Sequence, residues 1–486
     1  DPDVIRVEDT YYMVSTTMHF MPGCEILQSF DLVHWEHVTY VYETLDHTDA
    51  QQLKSGQNIY GQGMWAASLR YHEGRFWICF VANDTRKTYL YTSEKIDGPW
   101  KKQLIEGFYH DGSLLFDEDG RSYIVYGNDE IWITELNEDL TAPKKDGLHR
   151  LLVSDHKNPE LGYEGSHIQK INGYYYIFLV HSLRDRWMRT EACFYSDSLE
   201  GEFTGGDVLC DDRGYCGQGV AQGGIVDTPD GKWYAMLFQD SGAVGRIPIL
   251  LPVTWKDHFP VFGQNGHVPE EIEVHSTRPG YIYQPLVGSD DFCNGLLPRW
   301  QFNHDPDPRY YHLDALQGTY TITTREVCTE LTQAVNTLTQ RMSYPSCAAE
   351  VTVDASALKE GDVAGLCALQ GCYAAVGITK HHGKYEVLML DKKEDGILDM
   401  TEGTVVESHQ MDFRLEADFC NMKDEARCYY RVNKGDWLPI GTVHKLYFKL
   451  DHFTGCRFGL FCYAAEETGG SACFRDFKYY DVDEIS

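Results

Sequence analysis

Three carboxylates stand at matching positions of a repeated pattern, and this makes them candidates for acid–base chemistry. They are Asp1, Asp111 and Glu164. Asp111 and Glu164 each lie nine residues before a turn glycine, and Asp1 lies eight residues before the equivalent turn. Carboxyl groups that face one another repel when ionised, so one tends to hold a proton while another stays charged. Such a set can supply a general acid and a general base.

The turn belongs to a motif that occurs five times in the first 270 residues. Each copy is a turn followed by an aromatic-rich strand, and a short hydrophobic run precedes it. Helical periodicity is nearly absent here. Repeats of about 50 residues built from short strands are typical of β-propellers, so five copies predict five blades. A β-sandwich with coincidental turns is the alternative. The copies begin at residues 9, 74, 120, 173 and 231.

Counting back from each turn predicts one axial residue per blade. In a propeller the first strand of every blade lines the central axis, so equivalent positions form a ring at one depth. An acid near a turn is more often a turn residue, but three acids at equivalent positions favour a functional ring. A metal site on the axis is the other interpretation. The predicted ring is Asp1, Trp65, Asp111, Glu164 and Gln222.

The spacing of such a ring suits cleavage of a glycosidic bond with inversion. That reaction needs two carboxyl groups about 6.5–9.5 Å apart, so that a water molecule fits beneath the sugar. Trp65 would supply an apolar face for the sugar ring.

The repeat ends near residue 270. Residues 271–289 are charged and then rich in Pro and Gly, which predicts a linker. From 290 to 486 strands alternate with turns again, without the fivefold motif. The predicted fold is therefore all-β, with a five-bladed β-propeller over 1–270 followed by a jelly-roll-like β-sandwich over 290–486.

Charge and cysteine content narrow the range of partners. A net charge of −32 disfavours nucleic acid and anionic membranes, and a neutral ligand suits it better. The 15 cysteines are scattered without a C-x-x-C pair, which favours reduced thiols and a cytoplasmic location. No run of 18 apolar residues and no secretion signal is seen. Because a general base at a free amino terminus would be poorly held, we expect the natural chain to continue upstream of Asp1.

Five blocks of the sequence resemble family 43 of the glycoside hydrolases. They read DPDVIRVEDTYYMVSTTMHFMPG, MWAASLRYHEGRFWICFV, HDGSLLFDEDGRSYIVYG, GYEGSHIQKINGYYYIFL and GRIPILLPVTW. The carboxy-terminal region resembles the sandwich appended in the β-xylosidase-like branch. The resemblance implies that Asp1 is the general base and Glu164 the general acid. It implies that Asp111 tunes the pKa of the acid and orients the substrate, and that Arg246 reaches toward the sugar and the catalytic acids.

Two motifs depart from the family pattern. Where W-A-P is usual, this chain has Trp65-Ala66-Ala67, and where G-H is frequent it has Ala221-Gln222. A histidine role in the fifth blade is therefore open. The family includes members with calcium on the propeller axis, so calcium is an expectation whose ligands the sequence does not identify. No organic cofactor is expected.

A loop after the second strand of the first blade contains Met18 and His19. Related enzymes use this loop to wall the subsite for the terminal sugar. We therefore expect both residues to contact substrate, although an ordinary loop histidine fits the sequence as well.

The resemblance implies an inverting exo-glycosidase. It would release terminal β-D-xylosyl or α-L-arabinofuranosyl residues, or both, from xylan and arabinoxylan oligosaccharides. An endo-arabinanase of the same family and a non-catalytic carbohydrate-binding propeller are the alternatives. Retaining fructosidases share the five-bladed fold, but their W-M-N-D-P-N-G block is missing from this sequence. The sequence does not rank the two sugars and does not specify an oligomeric state.

Overall fold

The repeated motif folds into five four-stranded antiparallel sheets in the computed structural model, which describes residues 1–481. The second copy shows how the turn works. Glu73 and Gly74 both have positive φ, 48° and 77°. Two successive left-handed residues form the tight turn whose twist matches a β-hairpin, and glycine adopts this conformation without steric cost.

Each blade uses four consecutive strands, apart from β3, which leaves the first blade. Blade one comprises β1 (Asp3–Val7), β2 (Thr10–Val14), β4 (Gly23–Ser29) and β5 (Glu36–Tyr42), with β3 (Phe20–Met21) between them. Blade two comprises β6 (Met64–His72), β7 (Arg75–Ala82), β8 (Lys87–Ser93) and β9 (Lys101–Ile105). Blade three comprises β10 (Ser113–Phe116), β11 (Ser122–Asn128), β12 (Glu130–Leu136) and β13 (His149–Ser154). Blade four comprises β14 (Glu164–Ile171), β15 (Tyr174–Ser182), β16 (Arg189–Ser196) and β17 (Thr204–Leu209). Blade five comprises β18 (Ala221–Asp227), β19 (Trp233–Asp240), β20 (Arg246–Lys256) and β21 (Phe259–Phe262).

An ion pair between the first and last blades helps to close the ring. Arg6 on β1 lies 2.5 Å from Asp227 on β18, through Nη2 and Oδ2. Its Nε also donates to the main-chain oxygen of Asp227 at 3.1 Å. The closure therefore joins two complete blades, because every blade is built from its own consecutive strands.

The carboxy-terminal part is a sandwich of two antiparallel sheets. One sheet runs in the order β3, β22 (Gln301–Asn303), β25 (Leu338–Arg341), β35 (Arg457–Tyr463), β27 (Val363–Leu369), β28 (Ala374–His381), β29 (Lys384–Lys392) and β30 (Leu398–Met400), with β31 (Thr404–Val406) also on β29. The other runs β23 (Tyr311–Asp314), β24 (Thr319–Thr323), β36 (Ser471–Asp481), β26 (Ser346–Asp354), β32 (Gln410–Asp418), β33 (Glu425–Val432) and β34 (Leu438–Lys445). Buried apolar side chains fill the space between them, among them Trp300, Phe413 and Phe474.

Strand β3 ties the two domains together. It belongs to the chain of the first blade but pairs with β22, so that Met21 lies opposite Phe302. The structure thus confirms the predicted fold class and adds this shared sheet. Five short 3-10 helices lie within residues 1–481, at Lys54–Gly56, Gly242–Val244, Leu331–Gln333, Cys420–Met422 and Leu450–His452. No helix in this described part reaches the length and apolarity that crossing a bilayer requires.

Candidate active site

The predicted axial residues gather at one end of the propeller, where the first strand of each blade begins. In blades two, four and five the pairing register shifts at this point, between Met64 and Ala67, Glu164 and His167, and Ala221 and Gly224. A bulge of this kind bends a strand and redirects its side chains. The irregular strand starts therefore direct the axial side chains into a shared site.

The carboxylate of Asp1 is held by two donors. Thr16 donates through Oγ1 to Oδ2 at 2.5 Å, and Arg246 forms an ion pair with Oδ1. Behind Arg246, Asp240 lies 3.3 Å from its Nε and also pairs with Arg189. These buried and half-buried charges alternate in sign, so each guanidinium group has a carboxylate partner. Asp1 is only 8% exposed.

Phe453 brings the sandwich into the site. The guanidinium of Arg246 lies between the rings of Phe238 and Phe453, with its central carbon 4.5 and 4.3 Å from the two centroids. The ring of Trp65 meets Phe453 edge-on at 5.6 Å. A cation between aromatic faces is fixed in orientation as well as stabilised. Phe453 was not predicted from the sequence, because it follows the repeat by almost 200 residues and carries no motif.

Asp111 and Glu164 form the second half of the site, together with His110. The Nε2 atom of His110 lies 3.6 Å from Asp111 Oδ2 and 3.4 Å from Glu164 Oε2. Asn128 donates to the same Glu164 oxygen at 2.7 Å. The main-chain N–H of Gly165 donates to Asp111 at 3.0 Å. The residue next to Glu164 thus holds Asp111, which fixes the two carboxyl groups relative to each other.

The charges of this cluster shift two pKa values. Burial raises the pKa of Asp111, and the charge of Glu164 adds to this effect, whereas His110, the Gly165 N–H and Arg246 oppose it. The negative charge of Asp111 raises the pKa of His110 to about 9 against the effect of burial, and Glu164 contributes in the same direction. His110 is therefore a cation at neutral pH. Since Arg246 acts on Asp111, the two halves of the site lie within electrostatic range.

Gln222, the axial residue of blade five, is packed tightly and is 4% exposed. A Cβ on Gly165 would lie 2.6 Å from its Cγ, so the absent side chain at 165 leaves the space that Gln222 fills. Its main-chain N–H donates to Glu191 at 2.7 Å. Burial raises the pKa of Glu191 well above its usual value, and the Gln222 N–H opposes this effect.

His19 lies elsewhere than expected, and the expectation of a substrate contact is corrected. It is completely buried between the propeller and the sandwich. Its ring packs against Tyr60, His304 and His452, with centroids 4.8, 4.7 and 5.2 Å away. Met18 is 1% exposed, and its sulfur accepts a hydrogen bond from Thr454 at 3.5 Å. The sandwich covers this loop, so Met18 and His19 belong to the interface between the two domains.

The donor atoms at the site do not fit calcium. Among the residues that the structure describes, one group of His, Cys, Asp and Glu brings three ligand atoms within 4.8 Å of one another: His110, Asp111 and Glu164. Calcium takes six to eight oxygen ligands, whereas this group offers an imidazole nitrogen and two carboxylates that already accept protein hydrogen bonds. We therefore assign no metal to it.

A guanidinium occupies the propeller axis next to this site. Arg70 on β6 forms an ion pair with Asp3 at 2.7 Å and donates to Ser113 at 2.7 Å. It also donates to the main-chain oxygens of Leu114 and Ile168, at 2.9 and 3.2 Å. These partners belong to blades one, three and four, so one side chain joins four blades. A fixed cation thus holds the carbonyl groups of the axis.

A cavity of about 560 Å³ adjoins the Asp1 side of the site. Asp1, Thr16, Arg246 and Phe453 form part of its wall, and the rest is mainly apolar, from blades one and five and the linker. Trp65, Asp111 and Glu164 do not line it. The cavity therefore is not the space between the proposed acid and base, and we do not identify it as a sugar subsite.

Comparison with known proteins assigns a family model to each of the two domains. A family model described as glycosyl hydrolases family 43 matches residues 1–260. A second, described as a beta-xylosidase C-terminal concanavalin A-like domain, matches residues 289–480. A beta-xylosidase of Formosa agariphila is 26% identical, over 99% of this chain and 87% of that protein. Xylosidase/arabinosidase 43B of Humicola insolens is 25% identical, over 99% and 95%.

Solved structures share both domains. A protein of Bacteroides eggerthii described as a bifunctional GH43-CE superposes with a TM-score of 0.91 and 42% identity, over 99% of this chain. The present chain spans 62% of that protein's length. A GH43 glycoside hydrolase engineered to display both endo-xylanase and exo-arabinofuranosidase activity gives a TM-score of 0.86 and 27% identity, over 99% of this chain and 97% of the other.

Proposed function

The chain belongs to family 43 of the glycosyl hydrolases, and from that premise we propose that it is an inverting exo-glycosidase releasing terminal β-D-xylosyl or α-L-arabinofuranosyl residues. Its substrates would be oligosaccharides derived from xylan and arabinoxylan. The names of relatives support this class of substrate, since they include beta-xylosidases and a non-reducing end alpha-L-arabinofuranosidase.

The observation that carries the proposal is the division of the site into two unlike halves. Asp1 is bound by a hydroxyl and a guanidinium, which favour its charged form, as a general base requires. Glu164 lies in the other half, beside Asp111 and His110. In the proposed reaction Glu164 protonates the glycosidic oxygen while Asp1 takes a proton from the attacking water. Asp111 orients the acid through Gly165; its influence on the pKa of the acid stays a prediction.

Exo action is supported by the contribution of the sandwich. Phe453 lies against Trp65 and Arg246 and so forms a wall over one side of the axial site. A wall there favours a blind pocket for a chain end over the open cleft that an endo-arabinanase needs. A non-catalytic sugar-binding propeller is disfavoured because all three carboxylates are retained and buried or half-buried.

The test is the hydrolysis of a phenyl β-D-xyloside and a phenyl α-L-arabinofuranoside, whose leaving group needs the acid, by wild type, Asp1→Asn and Glu164→Gln. We expect each variant to lose a factor of at least about 10²–10⁴ in kcat, as removal of a general acid or base does. Asp436→Asn and Glu402→Gln, at exposed positions of the sandwich, serve as matched controls. Proton NMR of the first sugar released tests inversion. Retention of configuration, or near wild-type turnover by either variant, would contradict the proposal.

A further inference from the structure

The two oxygens of the Glu164 carboxyl group have different surroundings. Asn128 donates through Nδ2 to Oε2 at 2.7 Å, and His110 Nε2 approaches the same oxygen at 3.4 Å. No donor within residues 1–481 makes a hydrogen bond to Oε1. Glu164 is half-buried, so Oε1 is the oxygen left for a substrate.

This asymmetry matters for an acid catalyst, because a carboxylic acid carries its proton on one oxygen only. The other oxygen then serves as a hydrogen-bond acceptor. An amide N–H and an imidazole N–H aimed at Oε2 oppose a proton on that atom. They are satisfied when the proton resides on Oε1.

We propose that His110 and Asn128 are positioning residues that keep Oε2 of Glu164 as an acceptor and so present the proton on Oε1 to the glycosidic oxygen. The inference rests on the proposed function of Glu164 as the general acid. The proposed role belongs to two residues that contact Glu164 but are not among the three carboxylates Asp1, Asp111 and Glu164.

The proton on Oε1 moves to the glycosidic oxygen, and that oxygen takes the electron pair of the breaking bond to the anomeric carbon. The oxygen of water bonds to the same carbon, and a water proton moves to Asp1. Glu164 is left with a negative charge, which the N–H groups of His110 and Asn128 stabilise at Oε2. Solvent then carries a proton from Asp1 back to Oε1.

The surroundings of His110 keep a proton on its Nε2 atom. Asp111 and Glu164 lie close to it and raise its pKa, whereas Arg86, from the turn between β7 and β8, lowers it. The ring of Trp65 packs beside it, with centroids 6.0 Å apart. The attraction of Asp111 is the largest influence and raises the pKa of His110 to about 9. Over the neutral range His110 therefore remains a donor.

The backbone also fixes His110 in place. Its carbonyl oxygen accepts a hydrogen bond from the Gly127 N–H at 3.1 Å, and Gly127 precedes Asn128. This main-chain hydrogen bond joins the segment before β10 to the end of β11, so it holds His110 and Asn128 close to each other.

Leaving-group dependence distinguishes this role from a structural one. A dinitrophenolate departs without protonation, whereas an unsubstituted phenolate needs the acid. We expect Asn128→Ala and His110→Phe to lower kcat/KM for the phenyl glycoside by about 10- to 100-fold, within the range of general acid catalysis, and for the dinitrophenyl glycoside by less than about threefold. His110→Gln, whose amide can donate from a similar distance, should recover most of the loss.

Asn128 is exposed, so its removal leaves the core intact even where His110→Phe does not fold. His149→Phe is the matched control, because that ring stacks on Trp132 outside the site, with centroids 5.2 Å apart. Equal losses on both glycosides, or no loss with the phenyl glycoside, would overturn the inference alone. Failure of the wild type to hydrolyse either glycoside would instead overturn the proposed function.

Discussion

The guanidinium carbon of Arg246, on the propeller, lies 4.3 Å from the centroid of the Phe453 ring, on the sandwich. Arg246 also forms the ion pair with Asp1, so the second domain contacts the residue that positions the proposed base. The sandwich therefore forms part of the proposed active site. Deleting the sandwich would expose Arg246 at this contact and would leave strand β3 without its partner β22.

Replacing Phe453 by Leu tests this relationship. Leucine keeps much of the apolar volume but removes the aromatic face over Arg246. We expect kcat/KM on the aryl glycoside to fall by about tenfold, the scale of a desolvated cation–π contact of about 2 kcal/mol or less. Leu450→Ala is the control, because Leu450 lies in the 3-10 helix just before Phe453 and is 62% exposed. Equal activities of wild type and the Phe453 variant would show that the sandwich does not contribute to the site.

Asp240 lies between two guanidinium groups, that of the buried Arg189 and that of the half-buried Arg246. Asp240→Asn would remove the one negative charge that both contact. Breaking a buried ion pair costs about 3–5 kcal/mol, so we expect the free energy of unfolding to fall on this scale. Because Arg246 would lose a support, kcat/KM should fall as well. Urea unfolding and aryl glycoside kinetics measure the two effects.

The control for this prediction is Asp230→Asn, at an exposed turn of the fifth blade. We expect it to match wild type in both measurements. If Asp240→Asn unfolds at the same urea concentration as this control, Asp240 does not stabilise the two arginines.

The ring of axial residues could be predicted because it depends on a local pattern. Counting back from the turn places Asp111 and Glu164 at equivalent positions. In the structure one carboxylate oxygen of each lies within 4.8 Å of the other and of a ring nitrogen of His110. The hairpin and its turn are encoded by adjacent residues, so the register follows from sequence alone. Arg246 carried no such pattern and was found only through the family resemblance.

The remaining site residues depend on contacts that sequence spacing does not encode. Asn128 reaches Glu164 from the end of another blade's second strand, and Asp240 stands at the end of β19. Phe453 arrives with the docked sandwich. The error over His19 has the same origin, because residues of the sandwich, among them His304 and His452, pack against this loop.

The buried histidines at the domain interface predict sensitivity to acid. Burial lowers the pKa of His304 to about 3, and it lowers that of His19 well below its usual value. A histidine with a depressed folded-state pKa binds its proton more readily when unfolded. Its contribution to stability is therefore present above about pH 6.5 and is lost as pH falls toward about 3.

For His304 alone this amounts to about 2 kcal/mol between pH 7 and pH 5. His304→Gln keeps an acceptor for the N–H of Ile59, which His304 Nε2 now accepts at 3.0 Å, and removes the titration. We expect its unfolding free energy to change less over this interval than that of wild type. His382→Gln, at an exposed position, should follow the wild-type curve. Parallel curves for wild type and His304→Gln would contradict the prediction.

Chelation of divalent metals should leave the protein unchanged. The family resemblance implies calcium on the axis, but Arg70 already bonds Asp3, Ser113 and three main-chain oxygens there. A second cation beside this guanidinium would be repelled. We expect the melting temperature and kcat to be the same after dialysis against EDTA and after addition of millimolar calcium. Arg70→Met should lower the melting temperature, since four blades lose a common donor. A melting temperature that drops in EDTA and returns with calcium would show that an ion binds despite Arg70.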